Sequence, residues 1–142
     1  MTDNPNEITV DNSVLILIDH QAWVAFGATS IDASLLSNNL EGGKLKDPLM
    51  RAVADVFPDK TPIDRKSTNA WADIREAVEA TGRKKLLMAG LWTEVCLAQT
   101  AISALADGYR VFFVSDCSGG LTVESHQDAK RRLVQAGATP IN

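Results

Sequence analysis

The chain has 142 residues, 45% of them hydrophobic and 23% charged, which is enough for one hydrophobic core. The formal net charge is -4 and the basic residues form only short clusters, so nucleic-acid binding has little support. No apolar run is long enough to cross a bilayer, no signal-peptide pattern is present and only two cysteines occur. We therefore expect a cytoplasmic protein with no membrane partner and no disulfide framework.

Short apolar runs and amphipathic stretches alternate along the chain after a loose N-terminus at residues 1–10. Apolar runs predict strands at Val14 to Ile18, Leu86 to Ala89 and Val111 to Val114, with weaker candidates at Ile63 and at Ala138 to Ile141. Helical spacing predicts helices at Pro48 to Val56, Trp71 to Thr81, Thr93 to Asp107 and Val123 to Ala136. The last three end at glycines, namely Gly82, Gly108 and Gly137.

This alternation predicts a single α/β domain over residues 1–142. Its sheet should be doubly wound and mostly parallel, with right-handed crossovers and helices on both faces.

Cys96 is the first candidate for chemistry, because it lies near the start of a helix entered directly from an apolar strand. Thr93 is the predicted N-cap and Glu94 an acid favourable in the first turn. Free N–H groups at a helix start stabilise a thiolate, so we expect the pKa of Cys96 to be lowered. The alternative is that Cys96 is a small apolar side chain of the core.

Two further charged positions favour the reactive interpretation. Asp19 follows the first strand, and Arg65 with Lys66 follows the weak strand candidate at Ile63. The carboxyl ends of parallel strands share one edge of a sheet, so an acid, a cation and the Cys96 thiol are expected to converge there.

The sequence resembles the isochorismatase-like cysteine hydrolases, and within them a branch of uncharacterised hydrolases. The resemblance extends from about residue 14 to residue 141 and is specific only when its motifs are taken together. The matching segments are Leu15 to Gln21, Pro62 to Arg65 with Asn69 to Trp71, Ala80 to Lys85, Gly90 to Cys96, and Asp116 with Ser118 to Gly120.

The resemblance implies a triad of aspartate, lysine and cysteine. Carried over by motif, it makes Asp19 the general base and Cys96 the nucleophile. Spacing to the Asn69 to Trp71 triplet puts Arg65 in the lysine position, whereas Lys66 would supply the family's chemistry, because arginine does not exchange a proton. Both cations stay candidates at this point.

The resemblance also implies an oxyanion hole formed by the amides of Trp92 and Cys96, reached through a cis peptide between Leu91 and Trp92. The implied reaction hydrolyses a carbon–nitrogen bond of a small molecule through a thioester, without a cofactor. The predicted substrate-binding residues are Gln21, Asn69, Trp71 and Trp92. Trp23 and Phe26, with Trp71 and Trp92, could line an apolar pocket or pack in the core.

The chain departs from the family's pattern in its shortened 39–43 region and its early end at Asn142. One strand and a C-terminal extension are expected to be missing. Three explanations stay open: a compact variant, a truncated or mis-spliced gene product, and a chain that folds only within an oligomer. The resemblance implies oligomers and a missing strand leaves an unpaired sheet edge, so we expect a homo-oligomer.

No metal site is expected, since His20 and His126 are far apart in sequence and lack a ligand spacing. His20 should point away from Asp19, and His126 should lie on a polar helix face. Two alternative functions stay open: a catalytically silent relative acting as a binding or scaffold subunit, and a redox sensor using Cys96.

Overall fold

A computed structural model describes residue 4, residues 6–21 and residues 50–142. In these residues four parallel strands form one sheet in the order β1-β2-β3-β4. The strands are β1 (Ser13–Ile18), β2 (Lys85–Gly90), β3 (Arg110–Val114) and β4 (Thr139–Ile141). The predicted α/β fold with a parallel sheet is confirmed.

The helices of the described residues fall between these strands. They are α1 (Arg51–Ala54), α2 (Trp71–Glu79), α3 (Ala98–Ala106) and α4 (Val123–Gln135), and a π-helical turn (Thr93–Leu97) directly precedes α3. The glycines predicted to follow α2, α3 and α4 all have positive φ angles, 68° at Gly82, 81° at Gly108 and 104° at Gly137. No helix in these parts of the chain has the length and apolarity to span a bilayer.

Two predictions about local structure need correction, and a third concerns residues that the structure does not describe. Ile63 is not in a strand and is 51% exposed, because a single apolar residue gives a strand nothing to bury. The helix predicted at Pro48 to Val56 is reduced to the four residues of α1, which bury no side chain. The shortened 39–43 region, with its expected missing strand, lies outside the described residues.

The main core lies between one face of the sheet and the helices that follow. Alternate strand residues point to the same face, so Leu86 and Met88 of β2 and Val111 and Phe113 of β3 share it. The helices supply the opposite wall with Val78 of α2, Leu97, Ala98, Ala101 and Ala104 around α3, and Leu133 of α4. Small alanines on α3 let that helix approach the sheet closely.

The described part of the predicted loose N-terminus is attached to the sheet. The ammonium of Lys85, at the start of β2 and only 5% exposed, donates to the carbonyls of Asn4 at 3.1 Å and Glu7 at 2.9 Å. Backbone oxygens thus satisfy a buried cation that would otherwise be costly.

Leu133 and Val134 give a matched test of this packing, because they are neighbours in α4 with 0% and 50% exposure. We expect Leu133→Ala to lower the free energy of unfolding by about 2–5 kcal/mol through loss of buried area and an unfilled cavity. Val134→Ala should change it by less than about 1 kcal/mol. Urea unfolding of both variants checks this, and equal effects would contradict the assignment of Leu133 to the core.

Candidate active site

The carboxyl ends of β1 and β2 meet at the candidate site. Ile18 pairs with Gly90, and the Leu91 N–H donates to the Ile18 carbonyl at 3.0 Å. Asp19 follows β1 at this point, and Cys96 follows β2 in the π-helical turn. The predicted convergence of Asp19 and Cys96 at one sheet edge therefore agrees with the geometry.

Asp19 marks a sharp change of direction at the end of β1. Its φ angle is 55°, in the left-handed region that aspartate enters more readily than most residues. The N–H of Gln21 donates to the Asp19 carbonyl at 2.7 Å across this turn. The backbone therefore leaves the strand here, while the Asp19 carboxylate, 10% exposed, stays at the strand end.

Arg65 joins Asp19 to Cys96. Its Nε donates to Asp19 Oδ1 at 2.9 Å, and its Nη2 lies 2.5 Å from Asp19 Oδ2 and 3.2 Å from Cys96 Sγ. The third nitrogen, Nη1, donates to the Ser67 carbonyl. One planar guanidinium thus contacts both carboxylate oxygens and the sulfur, a geometry that an ammonium group cannot reproduce.

The structure distinguishes between the two candidate cations. Lys66 is exposed, and its backbone N–H donates to Asp73 Oδ2 at 3.3 Å. Of the two candidate cations, Arg65 thus contacts both Asp19 and Cys96, and Lys66 lies outside the cluster formed by Asp19, Arg65 and Cys96. The pKa of Arg65 is raised, chiefly by its hydrogen bond to Asp19, so the guanidinium stays charged.

The Cys96 thiol has a raised pKa, about 11, which reverses the expectation of an acidic thiol. Burial is the largest cause, followed by the hydrogen bond and the negative charge of Asp19. The Arg65 charge and a backbone hydrogen bond from Trp92 favour the thiolate, but they are outweighed. The expectation from the helix start was therefore wrong, whereas the alternative of a buried cysteine agrees with the 5% exposure of Cys96.

The burial and the raised pKa of Cys96 argue against the redox-sensor hypothesis. Sensor cysteines are exposed and easily ionised, whereas Cys96 is 5% exposed and protonated at neutral pH. Cys117 is exposed, and its pKa is also raised, mainly by burial and by Asp116. Both cysteines are free thiols.

The turn that carries Cys96 differs from the predicted α-helical start. The peptide between Leu91 and Trp92 is cis, as the resemblance implied. Trp92 occupies the N-cap position, and its carbonyl accepts from the N–H groups of Val95 at 3.1 Å and Leu97 at 3.4 Å. Thr93 is not the N-cap, because its hydroxyl lies 2.9 Å from His126 Nδ1 instead.

Two predicted substrate-binding residues make structural contacts, and one of them, Trp71, lies in the core. Trp71 is 5% exposed, its indole N–H donates to Asp107 Oδ2 at 2.7 Å, and its ring meets Tyr109 edge to face at 5.1 Å. Asp107 directly follows the C-terminal end of α3, so the Trp71 indole N–H is bonded at that end of the helix. Asn69 bonds to the Trp71 N–H and, through Nδ2, to Ser103 Oγ at 2.9 Å.

The other two predicted substrate-binding residues, Trp92 and Gln21, lie close in sequence to Cys96 and Asp19. Trp92 is half-buried directly before the π-helical turn, and Gln21 is half-buried two residues after Asp19. Both lie near the cluster of Asp19, Arg65 and Cys96. Trp23 and Phe26 are outside the described residues.

The two histidines have separate surroundings. His20 Nε2 lies 3.1 Å from the Cys117 carbonyl, and its pKa is lowered, mainly by burial. His126 is 8% exposed and contacts Thr93, so its predicted position on a polar face is wrong. Its spacing with buried Ala129 and Leu133 fits one inward helix face, a signal that helical periodicity could have given. Among the described residues no group of three or more His, Cys, Asp or Glu side chains could hold a metal.

Residues 22–142 match the isochorismatase domain, and the chain belongs to the isochorismatase family. The probable hydrolase YcaC of Escherichia coli is 35% identical over 150 residues, covering 90% of this chain and 72% of that protein.

Two solved structures share the fold closely. YcaC of Escherichia coli, described as an octameric hydrolase of unknown specificity, superimposes with a TM-score of 0.81 at 30% identity over 96% of this chain and 79% of that chain. YcaC of Pseudomonas aeruginosa, solved with hexane-2,5-diol and covalent acrylamide, gives a TM-score of 0.84 at 28% identity, covering 97% of this chain and 79% of that chain.

Removing the negative charge and removing the positive charge beside the sulfur should change the reactivity of Cys96 in opposite directions. Asp19→Asn removes two influences that raise the Cys96 pKa, whereas Arg65→Gln removes one that lowers it. At pH 8, about three units below the thiol pKa of about 11, the thiolate fraction changes about tenfold for each unit by which the pKa changes. A thiolate of lower pKa is also a weaker nucleophile, which partly offsets the gain in thiolate. We expect iodoacetamide to label Cys96 roughly three- to tenfold faster in Asp19→Asn and slower in Arg65→Gln.

Peptide mass spectrometry measures this labelling, with exposed Cys117 as the reference within the same chain. Lys66→Gln is the matched control, since it removes an adjacent cation outside the cluster and should leave Cys96 unchanged. A shift in the same direction for Asp19→Asn and Arg65→Gln would refute the electrostatic account of the thiol.

Proposed function

We propose that this chain is a cysteine-dependent hydrolase that cleaves a carbon–nitrogen bond of a small amide through a thioester. The observation that carries the proposal is the position of Arg65 Nη2, within reach of both Asp19 and Cys96 Sγ. A carboxylate, a thiol and a permanent cation in direct contact form a chemically complete nucleophilic site.

In the first step Asp19 accepts the thiol proton as Sγ attacks the substrate carbonyl carbon. The raised pKa of Cys96 means that the thiolate forms during attack and does not persist at rest. Asp19→Asn should therefore lose amide turnover, which needs the base, even though iodoacetamide, which reacts with thiolate already present, labels it faster. A carbon–sulfur bond forms and the carbonyl electron pair moves to oxygen. The N–H groups of Trp92 and Cys96 are the proposed donors to that oxyanion.

Collapse of the tetrahedral intermediate then breaks the carbon–nitrogen bond. The leaving nitrogen takes the proton held by Asp19, and the acyl group stays on sulfur as a thioester. Water attacks the thioester, Asp19 accepts its proton, and that proton returns to the sulfur as the acid leaves. Arg65 carries no proton in this scheme and serves to orient Asp19 and to stabilise negative charge at the sulfur.

The relatives support a small amide as the substrate class. Acrylamide is both an amide and an electrophile that thiolates attack, and it is covalently bound in the YcaC structure from Pseudomonas aeruginosa. We infer from this adduct that a protein of this fold can admit a compact amide next to a nucleophile. We extend that inference to the site around Cys96.

A panel of small aliphatic and aromatic amides, followed by ammonia release, tests the proposal. We expect turnover of at least one amide by the wild-type chain, and a loss of at least about a thousandfold in kcat/KM in Cys96→Ala. Cys117→Ala is the matched control, because it removes the second thiol and should keep wild-type turnover. Equal activity of Cys96→Ala and wild type would refute the mechanism, and no turnover of any amide by folded protein would favour the silent binding or scaffold subunit.

We further propose that the chain forms a homo-oligomer, as its octameric relative from Escherichia coli does. Size-exclusion chromatography with light scattering should give a mass that is a multiple of 15.3 kDa. A single species of 15.3 kDa at micromolar concentration would contradict this proposal.

A further inference from the structure

A buried polar contact lies behind the π-helical turn that carries Cys96. Thr93 is 0% exposed and His126 is 8% exposed, and Thr93 Oγ1 lies 2.9 Å from His126 Nδ1. A hydroxyl can donate or accept, so this contact forms with either tautomer of the neutral imidazole. It joins the first residue of the turn to the first part of α4.

Glu94, the next residue, makes a second connection to the same part of the chain. Its Oε1 accepts from the Leu121 N–H at 2.8 Å and from the Ser125 hydroxyl at 3.0 Å. Gly120 packs so closely that a Cβ atom there would lie 2.5 Å from Glu94 Oε2 and 2.9 Å from the Cβ of His126. Only glycine leaves room for this approach.

The backbone of the turn is held from the same side. The Thr93 N–H donates to the Gly119 carbonyl at 2.8 Å, and Leu91 forms an isolated bridge with Gly119. Trp92 therefore lies between two anchored residues, so the two peptide units that flank it, including the one that carries the Trp92 N–H, are held in place. Leu91, Thr93 and Glu94 are thus each fixed to residues of the segment 119–126.

We infer that Thr93, Glu94 and His126 are positioning residues that hold the Trp92 N–H and Cys96 Sγ in reactive alignment. This inference rests on the proposed function, because alignment matters only if Cys96 is the nucleophile. All three act through the backbone of the turn and none contacts the sulfur in the described hydrogen bonds.

The polar character of Thr93 and His126 supports a role in aligning the turn, and not merely in filling space. An apolar pair at Thr93 and His126 would fill the same space without needing matched partners, whereas a hydrogen bond fixes distance and direction. Burial and the charge of Lys130 lower the pKa of His126, against an opposing effect of Glu94. The imidazole is therefore neutral at pH 7, and the contact does not need a charge.

Thr93→Val tests the inference because it keeps the shape of the side chain and removes only its hydroxyl. We expect acrylamide to label Cys96 at least about tenfold more slowly at pH 8, since small misplacements of reacting groups cost one to two orders of magnitude. Labelling of Cys117 should stay at the wild-type rate. Thr93→Ser keeps the hydroxyl and should restore labelling of Cys96 to within about threefold of wild type.

A second matched pair keeps the test valid if Thr93→Val does not fold. His126→Asn places a polar atom near the former Nδ1, whereas His126→Leu does not, so labelling of Cys96 should be slow only in His126→Leu. With an amide that wild type turns over, Thr93→Val and His126→Leu should lower kcat and change KM by less than about threefold. Melting temperature monitors folding in every variant.

Wild-type labelling of Cys96 in folded Thr93→Val or His126→Leu would overturn the inference. Equal slowing in Thr93→Val and Thr93→Ser would also overturn it, because loss of the hydroxyl would not be the cause. If wild type turns over no amide, the proposed function fails, yet the labelling ratios still decide whether these residues align the sulfur.

Discussion

The contact of one guanidinium with a carboxylate and a thiol is the constraint on which this site depends. Without Arg65, Asp19 would be a half-buried negative charge directly beside the sulfur, and both its charge and its hydrogen bond disfavour a thiolate. With Arg65 in place, the carboxylate is held by two nitrogens and the sulfur by one of the same nitrogens. The arrangement keeps the proposed base and the proposed nucleophile in contact while the raised pKa leaves the resting thiol protonated.

The position of Arg65 is fixed by hydrogen bonds among residues that have no part in the proposed reaction. Arg65 lies in a segment without helix or strand, where the Ser67 hydroxyl bonds to the Asn69 carbonyl at 2.8 Å and the Lys66 N–H bonds to Asp73 of α2. Asn69 ties this segment to Ser103 of α3. Asn69 thus supports Arg65 through Ser67, which is consistent with the spacing that favoured Arg65 by position.

The sequence predicted those parts of the site that follow from regular structure. Asp19 and Cys96 follow neighbouring apolar strands, and a parallel sheet brings such positions together. It could not predict burial, which comes from packing between distant segments, and so the direction of the Cys96 pKa shift was wrong. The role of Thr93 was missed for the same reason, because its hydroxyl serves as a cap only when no buried partner competes, and His126 is such a partner.

A crystal structure of the acrylamide-treated protein tests most directly whether Arg65, Asp19 and Cys96 form one reactive unit. The account predicts an adduct on Cys96 Sγ, with its carbonyl oxygen within hydrogen-bond distance of the Trp92 N–H and Arg65 still paired with Asp19. An adduct on Cys117 alone, or an Arg65 side chain turned away from Asp19 and the sulfur, would contradict it.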